Sequence, residues 1–152
     1  MKNTSNQAAL TGIAIRKRPK TAMVQLSEAP VSCAHGVASD FRGKPGKRQV
    51  TVLSEQSWQQ ACQQLNSELH WLTRRANLLV SGLEFSAADV GKVLHIGSLQ
   101  LRICRQTNPC HWMDKAYSGL QAALAPNWRG GVCCQVINDA QIKIGDEAWL
   151  GP

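Results

Sequence analysis

Three kinds of hydrophobic spacing run along this chain and divide it into elements. Period-two alternation marks half-buried strands. It is clearest in Leu99–Gln106, LQLRICRQ, where Leu99, Leu101 and Ile103 alternate with polar residues. Arg48–Leu53, RQVTVL, repeats it with the β-branched side chains that suit a pleated surface. Thr11–Ile15, Met23–Leu26, Asn77–Val80, Lys92–Ile96, Val132–Ile137 and Ile142–Leu150 read as further short strands, the last with Gly145-Asp146 in its middle. Spacing of three and four marks helices. Trp58, Ala61, Cys62, Leu65 and Leu69 form one stripe behind Ser54, a favoured N-cap, with Glu55 in the first turn where the helix dipole favours a carboxylate. Met113, Ala116, Tyr117, Leu120, Ala123 and Leu124 form a second. Gly36, Gly43, Pro45 and Gly46 mark a loop between the second and third strands. The third spacing is sparseness: residues 1–10 hold few apolar side chains and read as a flexible leader, leaving 11–152 as one domain. Seven or more short strands against two main helices predict a mostly β, barrel-like or sandwich domain with the helices packed on it.

Composition narrows the class. At 43% hydrophobic and 18% charged, the 152-residue chain has the make-up of a globular protein with its own core. No apolar run approaches the roughly 18 residues that a membrane span needs, and the opening segment has no apolar stretch of signal-peptide length, so a cytoplasmic location is expected. Six cysteines without a C-x-x-C pair, and four histidines without zinc spacing, read as reduced thiols rather than a disulfide frame or a structural zinc site. The net charge of +7 is uneven, with nine basic residues up to Arg48 against only Glu28 and Asp40. Such a field attracts anions, whether phosphorylated small molecules, nucleic acid or acidic protein surfaces.

Cys110 is the residue that carries candidate chemistry. It follows Asn108-Pro109, where a strand pattern gives way to a helical one. With Asn as N-cap and Pro at the first helical position, Cys110 falls at about the second, where free N–H groups and the helix dipole favour a thiolate. A thiolate attacks electrophiles or binds metal. The competing reading is a small apolar side chain filling space beside a helix start. Arg74-Arg75-Ala76-Asn77, placed directly before a strand, offers two guanidinium forks and an amide, suited to a phosphate and a heterocycle edge, or else an ordinary surface pair. Trp128-Arg129-Gly130-Gly131 sets an arginine before a Gly-rich turn, and Lys44-Pro45-Gly46-Lys47-Arg48 is a further basic loop. His111 adjoins Cys110, but neighbouring helical residues do not face each other, so a Cys–His dyad is not expected between them.

Taken in order, these pieces resemble the MOSC domain, the family named for the C-terminal domain of molybdenum cofactor sulfurases. The matching run is Gly36-Val37-Ala38-Ser39-Asp40, the Arg48-Gln49-Val50 strand, Arg75-Ala76-Asn77-Leu78, Gly82-Leu83, Gly91 to Leu94, Ile96-Gly97, Pro109-Cys110, Arg129-Gly130-Gly131-Val132 and Ile144-Gly145-Asp146. The chain departs from many members at Asp40-Phe41-Arg42, where they place Arg directly after Asp.

The resemblance implies a barrel-like fold and a pterin-based molybdenum cofactor, with Cys110 as the metal ligand and catalytic thiol. It implies that Arg74, Arg75, Asn77 and Arg129 bind the cofactor, with Lys20-Thr21 standing for a Lys-Ser pair that some members use. The implied activity is reduction of N-hydroxylated compounds as small-molecule substrates. Since the sequence contains no pyridoxal-phosphate enzyme and no cysteine-ligated ferredoxin segment, a separate redox protein or sulfur donor would be the partner. Two other readings stay open: a sulfur carrier with a Cys110 persulfide, and a basic β-barrel that binds nucleic acid. One Tyr and two Phe argue against the last, because base stacking draws on exposed aromatic side chains, although five Trp are available.

Overall fold

A computed structural model of the chain describes residues 7–152. Eleven strands and three helices follow one another as β1 (Ala9–Ile15), β2 (Val24–Gln25), β3 (Glu28–Ser32), β4 (Gly36–Val37), β5 (Val50–Ser54), α1 (Glu55–Gln64), β6 (Leu78–Ser81), β7 (Val93–Ile96), β8 (Leu99–Gln106), α2 (His111–Ala116), α3 (Leu120–Leu124), β9 (Val132–Val136), β10 (Ala140–Lys143) and β11 (Ala148–Gly151). Eight strands form one sheet in the order β11-β7-β8-β9-β5-β6-β1-β2. Its pairs are antiparallel except β5 and β6, which run parallel and are joined by α1, the crossover a parallel pair requires. The sheet curls until β1 meets the lead-in to β11: Leu10 N–H donates to Asp146 O at 2.8 Å and Ala148 N–H to Ala8 O at 3.0 Å. The mostly β, barrel-like architecture expected from the strand count is the one observed.

Alternation along each strand sorts side chains between two cores. Val50 and Val52, Leu78 and Val80, Leu99, Leu101 and Ile103, and Val132 and Cys134 point into the barrel. Leu53, next after Val52, and Leu79 point outward, where they pack with Trp58 and Ala61 of α1 and Leu120, Ala123 and Leu124 of α3. The small sheet β10-β3-β4 brings Ala29, Val31, Val37 and Ile142 onto the inner core. Each fully buried aliphatic side chain contributes on the order of 1.5–3 kcal/mol, so both cores hold the curvature in place.

Several elements differ from the sequence expectation, each for a local reason. β1 starts at Ala9 with Leu10 fully buried, so the expected leader gives up its last two residues to a strand. The rest of that leader falls largely on residues 1–6, which lie outside the described residues. β3 contains Pro30, which removes a ladder donor and hides the strand from a pattern search. The second expected helix is two: Tyr117 is extended and Gly119 has φ +88, a left-handed conformation that suits glycine and ends the stripe between Ala116 and Leu120. The expected closing strand also splits, since Gly145 (φ +98) turns the chain from β10 in the small sheet to β11 in the large one.

Candidate functional site

β8 does not end its pairing at Gln106. Thr107 N–H donates to Gly131 O at 2.9 Å, so the chain stays extended beside the lead-in to β9. The helix starts later than expected: Cys110, extended at φ −127 and ψ 176, is itself the N-cap of α2, and Asn108 and Pro109 belong to the loop. α2 spans six residues, so a strong dipole is not what acts on the thiol. Cys110 is exposed, whereas Cys62, Cys133 and Cys134 are buried.

Arg74 holds this loop from beneath. Its guanidinium is buried and donates to Gly130 O (Nε, 3.1 Å) and Thr107 O (Nη2, 3.1 Å), with Met113 Sδ 3.6 Å from Nη1. Burial pushes the Arg74 pKa down, while the thiols of Cys110 and Cys133 lie within electrostatic reach and act in the opposite direction. Thr107 Oγ1 lies 3.2 Å from Cys133 Sγ on the outer face of β9. Gly131, at φ +94, lets the chain pass close to β5, since a Cβ there would collide with the Val52 carbonyl oxygen. A shallow depression of about 560 Å³ flanks the loop, lined by Gln106, Asn108, Pro109, Gln121, Ala122 and Ala125.

Asn77 works between three strands. Its Oδ1 accepts from Thr51 N–H at 3.1 Å and Thr51 Oγ1 at 3.3 Å, and its Nδ2 donates to Ala14 O at 3.2 Å. It thereby latches β1 and β5 to the start of β6 with its side chain buried.

Arg75 follows Arg74 but has a different environment. It sits in the left-handed region at φ 66 and is exposed. Its electrostatic neighbour is Arg16, directly after β1, which also has Arg42 beside it. Arg16 is only 8% exposed, covered by its neighbours rather than sunk in the core, and its Nε is a buried N–H with no acceptor. Both Arg16 and Arg42 lie over the Phe41 ring, at 4.7 Å and 5.2 Å from its centroid. Burial pushes the Arg16 pKa down, Arg75 and Arg42 push it further, and Asp40 opposes them. That carboxylate is occupied by the backbone: Oδ1 accepts from Arg16 N–H at 2.8 Å and Oδ2 from Arg42 N–H at 3.1 Å. Arg16, with two guanidinium neighbours and one partly spent carboxylate, centres a cationic cluster of a kind that suits an anion.

The other predicted residues lie apart from these two clusters or are tied into the protein. Arg129 Nη1 donates to Gln64 Oε1 at 2.7 Å and Ala123 O at 3.0 Å, bracing α1 against α3, and its Nε is a second buried N–H without an acceptor. Lys20 and Thr21 lie in the exposed loop that follows Arg16, with the Thr21 hydroxyl donating to Arg18 O at 2.7 Å. Arg16 and Arg42 were missing from the residues singled out as cofactor binders. The Asp40-Phe41-Arg42 run carried the available signal, but only the fold brings it to Arg16. Among the described residues no three His, Cys, Asp or Glu side chains converge; of the two exposed thiols, Cys110 lies on the loop that Arg74 supports and Cys33 lies apart, directly after β3.

A small curled barrel with an exposed thiol-bearing loop at one end of the Arg74–Arg75 segment and a cationic cluster at the other defines the class of protein. The family model described as the MOSC domain matches residues 26–149, most of the chain, and the chain belongs to the MOSC domain family. Solved structures share the fold at low identity. The YuaD protein of Bacillus subtilis has 15% identity and a TM-score of 0.79, over 95% of this chain and 96% of that one. YiiM from Geobacillus stearothermophilus has 14% identity and a TM-score of 0.72, over 95% and 75%. YiiM from Escherichia coli has 13% identity and a TM-score of 0.70, over 94% and 69%. No curated protein sequence matches the chain significantly. Among the described residues no helix is long and apolar enough to cross a membrane.

Proposed function

We propose that this MOSC protein binds a pterin-based molybdenum cofactor, with Cys110 as the metal ligand and Arg16, Arg42 and Arg75 around the cofactor's phosphate. The observation that carries the reading is an exposed thiol beside Arg74 and a covered, acceptor-less arginine N–H on Arg16, the neighbour of Arg75. A buried donor left without a partner costs roughly 1–3 kcal/mol, a penalty that an anionic ligand removes. Soft thiolate suits a sulfur-rich metal centre. When bound, the group supplies a metal able to take an oxygen atom from a substrate.

The residues of the chain do the rest. Cys110 presents its sulfur on a loop that Arg74 ties, through Thr107 O, to the Gly130 turn, and Arg75 and Arg42 offer charge beside Arg16. The net reaction supported is reduction of an N-hydroxylated base: the N–O bond breaks, the amine forms and oxygen leaves as water. Two electrons come from a separate redox protein and two protons from solvent.

A second reading uses the same exposed Cys110, carrying a persulfide whose outer sulfur passes to an acceptor. The test is metal analysis and pterin fluorescence on protein purified from a host that makes the cofactor. Wild type is expected to hold molybdenum and pterin, and Cys110→Ser to lose the metal while keeping its fold. Wild-type protein carrying a persulfide on Cys110 and no pterin overturns the first reading in favour of the second.

A further inference from the structure

The outer faces of β11, β7 and β8 carry no helix, unlike those of β5 and β6, and their side chains are of a particular kind. Trp149 is 42% exposed and stacks on His95, with ring centroids 4.8 Å apart and 2° between planes. Register places Trp149, His95 and Gln100 abreast on this face, with Arg102 two residues along β8 from Gln100. The bulge between Ile103 and Arg105 then exposes Arg105. Exposed Lys47 comes three residues before Val50, which pairs with Cys134 opposite Ile103, and so lies beside the bulge, within electrostatic reach of the Cys104 thiol as Arg102 is. Among the described residues the sole ion pair is Lys92–Asp89, so these three cations have no carboxylate partner in the protein. The patch also runs toward the thiol site. Arg105 is five residues from Cys110, a span of at most about 18 Å even if fully extended.

We propose that this face, Trp149 and His95 with Arg102, Arg105 and Lys47, docks an acidic electron-donor protein, an inference that rests on the reductase reading above. Unpaired cations steer an acidic partner and set its orientation, while an exposed Trp beside Arg is the side-chain pairing that dominates protein–protein binding energy. A single exposed aromatic stack suits that role better than a nucleic acid, which needs a row of aromatic side chains for successive bases. A donor seated against Arg105 stands close to Cys110.

The experiment measures binding of whole purified protein to an acidic flavodoxin by titration calorimetry, at low salt and at 0.5 M salt. Wild type is expected to bind at low salt and to weaken at least tenfold at high salt. Arg102→Glu with Arg105→Glu, and separately Trp149→Ala, are each expected to weaken it at least tenfold. Lys143→Glu, a charge change of the same sign at an exposed position of β10 in the small sheet, is expected to stay within twofold. No binding by wild type, equal weakening by Lys143→Glu, or tighter binding of oligo-dT than of flavodoxin overturns the proposal. Turnover with reduced methyl viologen, which bypasses any docked donor, separates this from the reductase reading. The double variant is expected to match wild type in that assay, whereas a wild type inactive with viologen counts against the reductase reading and leaves the binding data to judge the docking face.

Discussion

Arg74 and Arg75 are consecutive, yet they belong to two regions with opposite chemistry. Around Arg74 two carbonyls are matched by guanidinium donors, and the cation is enclosed by the loop it supports. Around Arg75 and Arg16 the donors outnumber the acceptors, and the one nearby carboxylate is taken by backbone N–H groups. A buried charge whose hydrogen bonds close within the protein is part of the scaffold. A covered charge whose bonds do not close is directed at something outside it. The difference separates the residues that hold the Cys110 loop from those that would hold a ligand.

The sharpest way to break this division is at Arg74. Arg74→Ala leaves the carbonyls of Thr107 and Gly130 without a donor and opens space beside Met113. Each unsatisfied buried group costs roughly 1–3 kcal/mol, so a loss of about 2–4 kcal/mol is expected by denaturant unfolding. Arg74→Lys should recover part of it, since one ammonium cannot span both carbonyls in a fixed fork. A variant as stable as wild type would remove Arg74 from the scaffold.

At Arg16 the expected signs reverse. Arg16→Met removes a covered N–H that has no acceptor and retains an apolar stem over Phe41. Stability is therefore expected within about 1 kcal/mol of wild type, as when an ill-satisfied charge is replaced by an apolar side chain of similar size. Cofactor retention should fall roughly ten- to a hundredfold, the equivalent of about 1.5–3 kcal/mol for a lost charge-assisted hydrogen bond. Molybdenum content under limiting cofactor, measured beside a melting curve, reads both. Marked destabilisation with unchanged metal would place Arg16 in the scaffold with Arg74.

Much of the barrel was legible because one face of each strand is buried and period two survives in the sequence. β8 matches its expected limits to the residue, and Ser54 caps α1 as read, its side chain accepting from Ser57 N–H. What escaped was set by single residues or by tertiary contact. Pro30 concealed β3, Gly119 cut a stripe that looked continuous, and the pairing of Thr107 with Gly131 delayed the helix that was expected to begin before Cys110. The site was harder still. Arg16 and Arg42 stand 26 positions apart, and nothing in either neighbourhood announces that Asp40 joins them. Arg74 and Arg75 look alike in sequence, and only burial tells them apart.

Arg129 tests the finest point, because it has features of both regions. Its Nη1 is spent on Gln64 and on the Ala123 carbonyl, which ties α1 to α3 as Arg74 ties its loop. Its Nε is buried without an acceptor, as at Arg16. The two bonds weigh differently: Gln64 is exposed and can turn to water, whereas the Ala123 carbonyl belongs to a helix end that is partly covered. Arg129→Ala is therefore expected to cost only about 1 kcal/mol, near the net worth of one ordinary hydrogen bond. Because its guanidinium is anchored toward the helices, metal content should remain within twofold of wild type in the same limiting-cofactor assay. A tenfold fall in metal with the melting curve unmoved would instead assign the free Nε to the anion, and would extend the ligand-directed region from Arg16 across to the Gly130–Gly131 turn.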